Sequence, residues 1–171
     1  MTWDAYNRRK EALREVLAIA DRHREEVSAT ELLDTVEGAN RAFTNVAELL
    51  LEVQMNWYQR LSGQVDRTLS IGAEDLETVV TNAWADAAAE MPGARALLDA
   101  HADMPELQKA FAKEHEFLAR SAGVPGNHPD LIGHGQRIKE TAREQVVYAD
   151  IWEIPDTPAG LFARIREALA A

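Results

Sequence analysis

ATELLDTVEGANRAFTNVAELLLEVQMNWYQRLSGQVDRTL, residues 29–69, decides the fold of this 171-residue chain. Leu33, Val36, Asn40, Phe43, Ala47, Leu50, Gln54, Trp57 and Leu61 recur in alternating steps of three and four. That spacing predicts a helix with a heptad-like apolar seam, interrupted by the polar Asn40 and Gln54. Val46, Leu49, Val53 and Tyr58 widen the stripe, and a helix apolar around so much of its girth belongs inside a bundle. Unbroken, it would extend about 60 Å at 1.5 Å per residue. A compact chain of this size is about 40 Å across. The helix must therefore bend, with Gly38 and Gly63 as its weak points, or project and pack against a partner.

Outward from this segment the pattern stays helical. An amphipathic helix is expected over about 2–26, with Tyr6, Leu13, Val16, Leu17 and Ala20 on one face. Ser28 and Glu31 have the spacing of a capping box that opens the long segment. Gly72 stands where a C′ glycine belongs. Glu74, Asp75 and Glu77 load the first turn of the next helix, where the macrodipole favours anions, and Leu76, Val79, Val80, Ala83, Trp84 and Ala87 make its buried stripe. Pro92 and Pro105 each suit a first helical turn, giving helices over 92–101 and 104–122. GVPGNHPDLIGHG, 123–135, is the one stretch dense in glycine and proline, and is read as a loop and candidate hinge. Helix resumes near Gly135. Thr157 and Pro158 open a C-terminal capping helix over 157–171, with Leu161, Phe162, Ile165 and Leu169 on its apolar face. No useful strand alternation is found. The expected fold class is all-α: a single domain over 1–171, an irregular bundle of six or seven helices around the long central helix at about 29–69.

Composition narrows the function. There is no cysteine, which removes disulfides, thiolate metal sites and cysteine nucleophiles and suits the reducing cytoplasm. The net charge is −11, and residues 31–100 carry twelve acids against four bases. That middle repels phosphate backbones, so no nucleic acid is expected as a partner. The basic cluster Arg8, Arg9, Lys10 and Arg14 is interleaved with Glu11 and Glu15, as on a solvated helix face. No stretch approaches the roughly 20 apolar residues that span a bilayer, so no membrane is expected either. The sequence contains no GxSxG, P-loop, GxGxxG, HExxH or EF-hand pattern.

Three readings of function follow. The first is a non-enzymatic interaction or regulatory protein without cofactor, whose surplus helix docks a second copy in a homodimer or another helical protein. Its seam residues would be Phe43, Leu50, Trp57 and Leu61. The second is a small-molecule-binding domain with Trp57, Tyr58 and Trp84 on an aromatic pocket wall. The third is a metal-dependent bundle enzyme. Within the 104–122 helix, Glu114 falls inside the apolar arc set by Leu107, Phe111 and Leu118, where a carboxylate is costly unless paired or ligating. Glu114 and His115 with His128 and His134 would offer oxygen and imidazole ligands suited to zinc or iron. Against this, His128 and His134 are six residues apart and share no helix face, and Glu114 could instead pair with an arginine such as Arg137.

Overall fold

The computed structural model describes residues 3–23, 27–70, 72 and 75–152, with side chains as far as 146. Among the described residues there are eight helices and no strand. They are α1 (Trp3–His23), α2 (Ala29–Thr35), α3 (Ala39–Ala42), α4 (Val46–Leu69), α5 (Leu76–Glu90), α6 (Pro92–Ala100), α7 (Pro105–Ser121) and α8 (Leu131–Trp152). The all-α bundle is as expected. The segment read as a capping helix over 157–171 lies outside the described residues.

The single helix over 29–69 is corrected to three. Thr35 ends α2, and Val36 is extended. Gly38 then takes φ 80°, the left-handed region where glycine has no Cβ penalty, and starts the short α3. Phe43 is extended again. Asn45 opens α4: its side chain accepts from the Glu48 N–H at 2.9 Å. Glu48 reaches back to accept from the Thr44 N–H at 2.7 Å. These bonds satisfy donors that the first turn leaves bare. Arg9 of α1 holds the elbow. It donates to the Ala42 carbonyl at 3.0 Å, bonds Glu48 at 2.5 Å and Glu52 at 2.8 Å, and its guanidinium lies over the Phe43 ring. One member of the expected solvated basic cluster is thus structural.

Breaking the segment removes the misfit in length. At 24 residues, α4 extends about 36 Å, within a globule of this size. It packs against α1, α2, α5, α6 and α7. Leu49, Leu50, Val53, Trp57, Leu61 and Val65 form its buried face. Gly63, the other expected weak point, lies inside this continuous helix.

Two glycines fix close helix crossings. A Cβ on Gly93 of α6 would lie 2.2 Å from the Ala20 backbone of α1. The Gly93 N–H instead donates to Asp21 at 2.8 Å. A Cβ on Gly135 of α8 would lie 1.7 Å from the His115 carbonyl oxygen of α7. The 123–135 loop is therefore shorter than expected. Residues 122–130 connect the helices and α8 already begins at Leu131. Gly135 does not start this helix; it lets α8 lie against α7.

Candidate functional site

Where α4, α5, α6 and α7 meet, the core is polar. α7 buries Leu107, Phe111 and Leu118 and places Glu114 between them, 1% exposed. α4 contributes Gln54 and Trp57, α5 contributes Trp84, and the short α6 contributes Arg95. Gln54 Nε2 donates to Glu114 Oε2 at 2.6 Å, and Trp84 Nε1 donates to Oε1 at 3.1 Å. Arg95 Nη1 stands 3.7 Å from Oε1. The guanidinium lies 4.9 Å from the centroid of Trp57 and 5.6 Å from that of Trp84. The two indoles meet edge to face at 5.4 Å. Opposite charge, two neutral donors and two aromatic faces thus offset the cost of burying Glu114 and Arg95.

A second layer joins this centre to α8. Arg95 Nη2 donates to Asp99 at 2.9 Å, and Lys139 and Arg143 of α8 approach Asp99 at 3.7 and 3.4 Å. Burial holds the Lys139 ammonium below its usual pKa, and Arg95 adds to the effect. Burial likewise lowers the His115 imidazole, against the attraction of Glu114. Five buried polar atoms have no hydrogen-bond partner among the described residues: Gln54 Oε1, Trp57 Nε1, Arg95 Nε, Arg95 Nη1 and His115 Nε2. Four belong to this one cluster. Turning the Gln54 amide over would not help, because a carboxylate only accepts.

The residues expected to form sites fall as follows. Phe43, Leu50, Trp57 and Leu61 are all buried in the chain's own core, so as they stand they offer no seam to a partner. Trp57 and Trp84 come together, but Tyr58 turns away and meets Phe117 edge to face at 5.3 Å. A cleft of about 850 Å³ opens elsewhere, between α1 and the α2–α3 elbow, with Arg8, Arg41, Glu15 and Glu37 on its sides. Of the four expected metal ligands, His128 and His134 come together with their rings edge to face at 6.1 Å, and among the described residues no three of His, Asp or Glu are grouped to hold an ion. Glu114 has both oxygens engaged by α4 and α5. His128 Nδ1 accepts from the Asp130 N–H at 3.2 Å. His134 lies in α8, where Nδ1 accepts from Arg137 at 3.0 Å and Nε2 faces Glu77 at 3.5 Å. Nor is Arg137 the partner of Glu114, since it pairs with Asp130 at 3.0 Å. Arg95 takes that place, and its one signal in the sequence was a charge beside Ala94, one turn before Leu98, on the apolar side of a short helix.

The outward face of α4 differs in kind. Leu51 is 40% exposed and Met55, one turn on, is 58% exposed. Gln59 and Gly63 continue the same line, both exposed. Tyr58 borders it, half-buried. Between 51 and 63 the only charged residues are Glu52 and Arg60. Glu52 is paired with Arg9, and Arg60 with Glu90. A solvent-facing helix surface ordinarily carries free charge; three turns of α4 carry none.

No family model, curated protein or solved structure matches the chain. Among the described residues no helix is long and apolar enough to cross a membrane.

Proposed function

We propose that the protein is a non-enzymatic helical interaction module that self-associates through the outward face of α4, not through the buried seam. The observation that carries this is the pair Leu51 and Met55, exposed one turn apart on a surface without free charge. Apolar anchors at such spacing are the usual means by which one helix seats on another. A second copy is the simplest partner, because one face then serves both sides of a twofold interface. The net charge of −11 argues against nucleic acid as the partner. The lack of cysteine suits work in the cytoplasm.

Sedimentation velocity from low micromolar to near-millimolar protein tests the reading. Mass should rise toward the dimer, and Met55→Glu should return it to the monomer. A monomer at every concentration overturns self-association. A second reading is favoured by the unpaired atoms of Gln54, Trp57 and Arg95: a small polar ligand held at the core. A rise in melting temperature with one compound class would support it, and a flat response across a broad metabolite panel would remove it.

A further inference from the structure

The unpartnered atoms around Glu114 form one set. Gln54 and Trp57 lie one turn apart on α4 and so share a face. Arg95 of α6 lies against that face, its guanidinium 4.9 Å from the Trp57 centroid. Gln54 is 3% exposed, Arg95 6% and Trp57 0%. Polar atoms buried this deeply nearly always have a hydrogen-bond partner, from protein or from ordered water. Here one acceptor, Gln54 Oε1, lacks one among the described residues, and so do the donors Trp57 Nε1, Arg95 Nε and Arg95 Nη1. Gln54 and Arg95 both also face the Glu114 carboxylate. Donors and an acceptor of complementary kind therefore surround one point of the core.

We infer that the polar centre is a binding site for internal water, which donates to Gln54 Oε1 and accepts from Trp57 Nε1 and Arg95. This rests on the second reading above, a small polar ligand at the core, and names that ligand. Charge and donor count select it. An anion would add a second negative charge beside the buried Glu114, and it has no hydrogen to give Gln54. A cation would face the Arg95 guanidinium and N–H groups that only donate. The ligand is therefore neutral, and both donates and accepts. Burial limits its size. Trp57 and Trp84 are 0% exposed and Glu114 is 1% exposed, and the cleft beside α1 is lined by none of these residues. Buried waters typically make about three hydrogen bonds, which is what these partners supply. The second hydrogen goes to the Glu114 carboxylate, which has lone pairs beyond those taken by Gln54 and Trp84.

Magnetic relaxation dispersion of the full-length protein in water enriched in oxygen-17 tests this. Surface water leaves faster than the protein tumbles and gives no dispersion, whereas a water sealed in the core tumbles with the protein. The label reads oxygen, so exchanging N–H and O–H protons do not contribute. The unmodified protein should show a dispersion. A variant with Gln54→Leu, Arg95→Met and Glu114→Leu together should lose at least one water's share of it, because apolar interiors stay dry. No dispersion in the unmodified protein would overturn the inference, and so would an amplitude unchanged in the variant. Because the variant can fail to fold, the second measurement uses the unmodified protein alone. The Trp57 indole proton should show a nuclear Overhauser effect from water with the sign of a long-lived contact, and its absence would overturn the site. A small organic molecule retained in native mass spectrometry, without dispersion, would overturn water and leave the ligand reading standing. A flat metabolite panel with the dispersion present removes the metabolites and leaves the water.

Discussion

Replacing Glu114 by glutamine isolates charge from hydrogen bonding in the polar centre. The two side chains are nearly the same size, so packing is kept. An amide oxygen at 114 would still accept from Trp84 Nε1. Its NH₂ would face Gln54 Nε2, donor against donor, but Gln54 can turn over and offer the Oε1 that now has no partner. The hydrogen bonds are therefore recoverable, and the loss is the counter-charge of Arg95. At 3.7 Å the pair attracts by about 4 kcal/mol with an effective dielectric near 20. Asp99 still holds the guanidinium at 2.9 Å, so Arg95 is not left wholly unpaired. The expected cost is about 3 kcal/mol, at the low end for breaking a buried pair. Urea unfolding followed by circular dichroism measures it as a lower midpoint at unchanged slope. Adding Arg95→Met should recover part of the loss, because it removes the buried guanidinium left without its counter-charge. A single variant within about 0.5 kcal/mol of the parent, the ordinary range for an inconsequential surface change, would refute this account. So would a double variant weaker than the sum of its parts.

Other perturbations follow from single contacts. Gly135→Ala must push α8 off the His115 carbonyl; overpacking of about 1–3 kcal/mol, partly offset by better helix propensity, should leave a net loss near 2 kcal/mol and a melting temperature lower by roughly 4–8 °C. The same change at Gly63, measured at dilutions that keep the protein monomeric, should instead stabilise by up to about 1 kcal/mol, because nothing among the described residues meets the new methyl. Asn45→Ala should cost about 1 kcal/mol in denaturant melts by freeing the Glu48 N–H at the start of α4. Hydrogen bonds from Arg9, then from Thr44, hold the Glu48 carboxyl at about 2, below its ordinary 4.5. A depressed carboxylate stabilises the fold above the unfolded pKa and loses that effect as pH falls through the folded one. The stability gap between parent and Glu48→Gln should be full above pH 5 and close between about 4.5 and 2; a gap independent of pH would show that Arg9 does not act through this charge.

Periodicity in the sequence was enough for the class of fold and for most buried faces, including Leu13, Val16 and Ala20 on α1 and Leu50, Trp57 and Leu61 on α4, but it overreached at the exposed Tyr6 and Leu76 near the starts of α1 and α5. It misled at 36–45, because the three-and-four rhythm runs on through the elbow. Val36 and Phe43 are buried in both the continuous and the broken version, so apolar spacing does not distinguish them. Asn45 and Glu48 have the same capping spacing as Ser28 and Glu31, but the apolar rhythm on both sides of them masks the cap. Glu114 was legible because its conflict is local: a carboxylate inside the apolar arc of its own helix. Its partners were not, since Gln54, Trp84 and Arg95 arrive from three other helices, and only packing brings them to one place. The metal reading meets the same difficulty: His128 and His134 come together at 6.1 Å, while the oxygens of Glu114 are taken by Gln54 and Trp84 from other helices.

Glycine shows the difficulty in its sharpest form. Gly38 and Gly135 look alike on paper, each a residue that weakens helices. One breaks a helix through a left-handed φ of 80°, and the other sits inside a helix because a neighbouring backbone leaves it no room. The first meaning is local and the second is tertiary, and only the fold separates them. Gly63 fits neither: its backbone is helical, and among the described residues nothing lies within 4 Å of an added Cβ. An exposed mid-helix glycine costs about 1 kcal/mol, and neither a turn nor a close approach among the described residues accounts for this one; its spacing in the sequence is that of a packing glycine, and its surroundings are those of a surface residue.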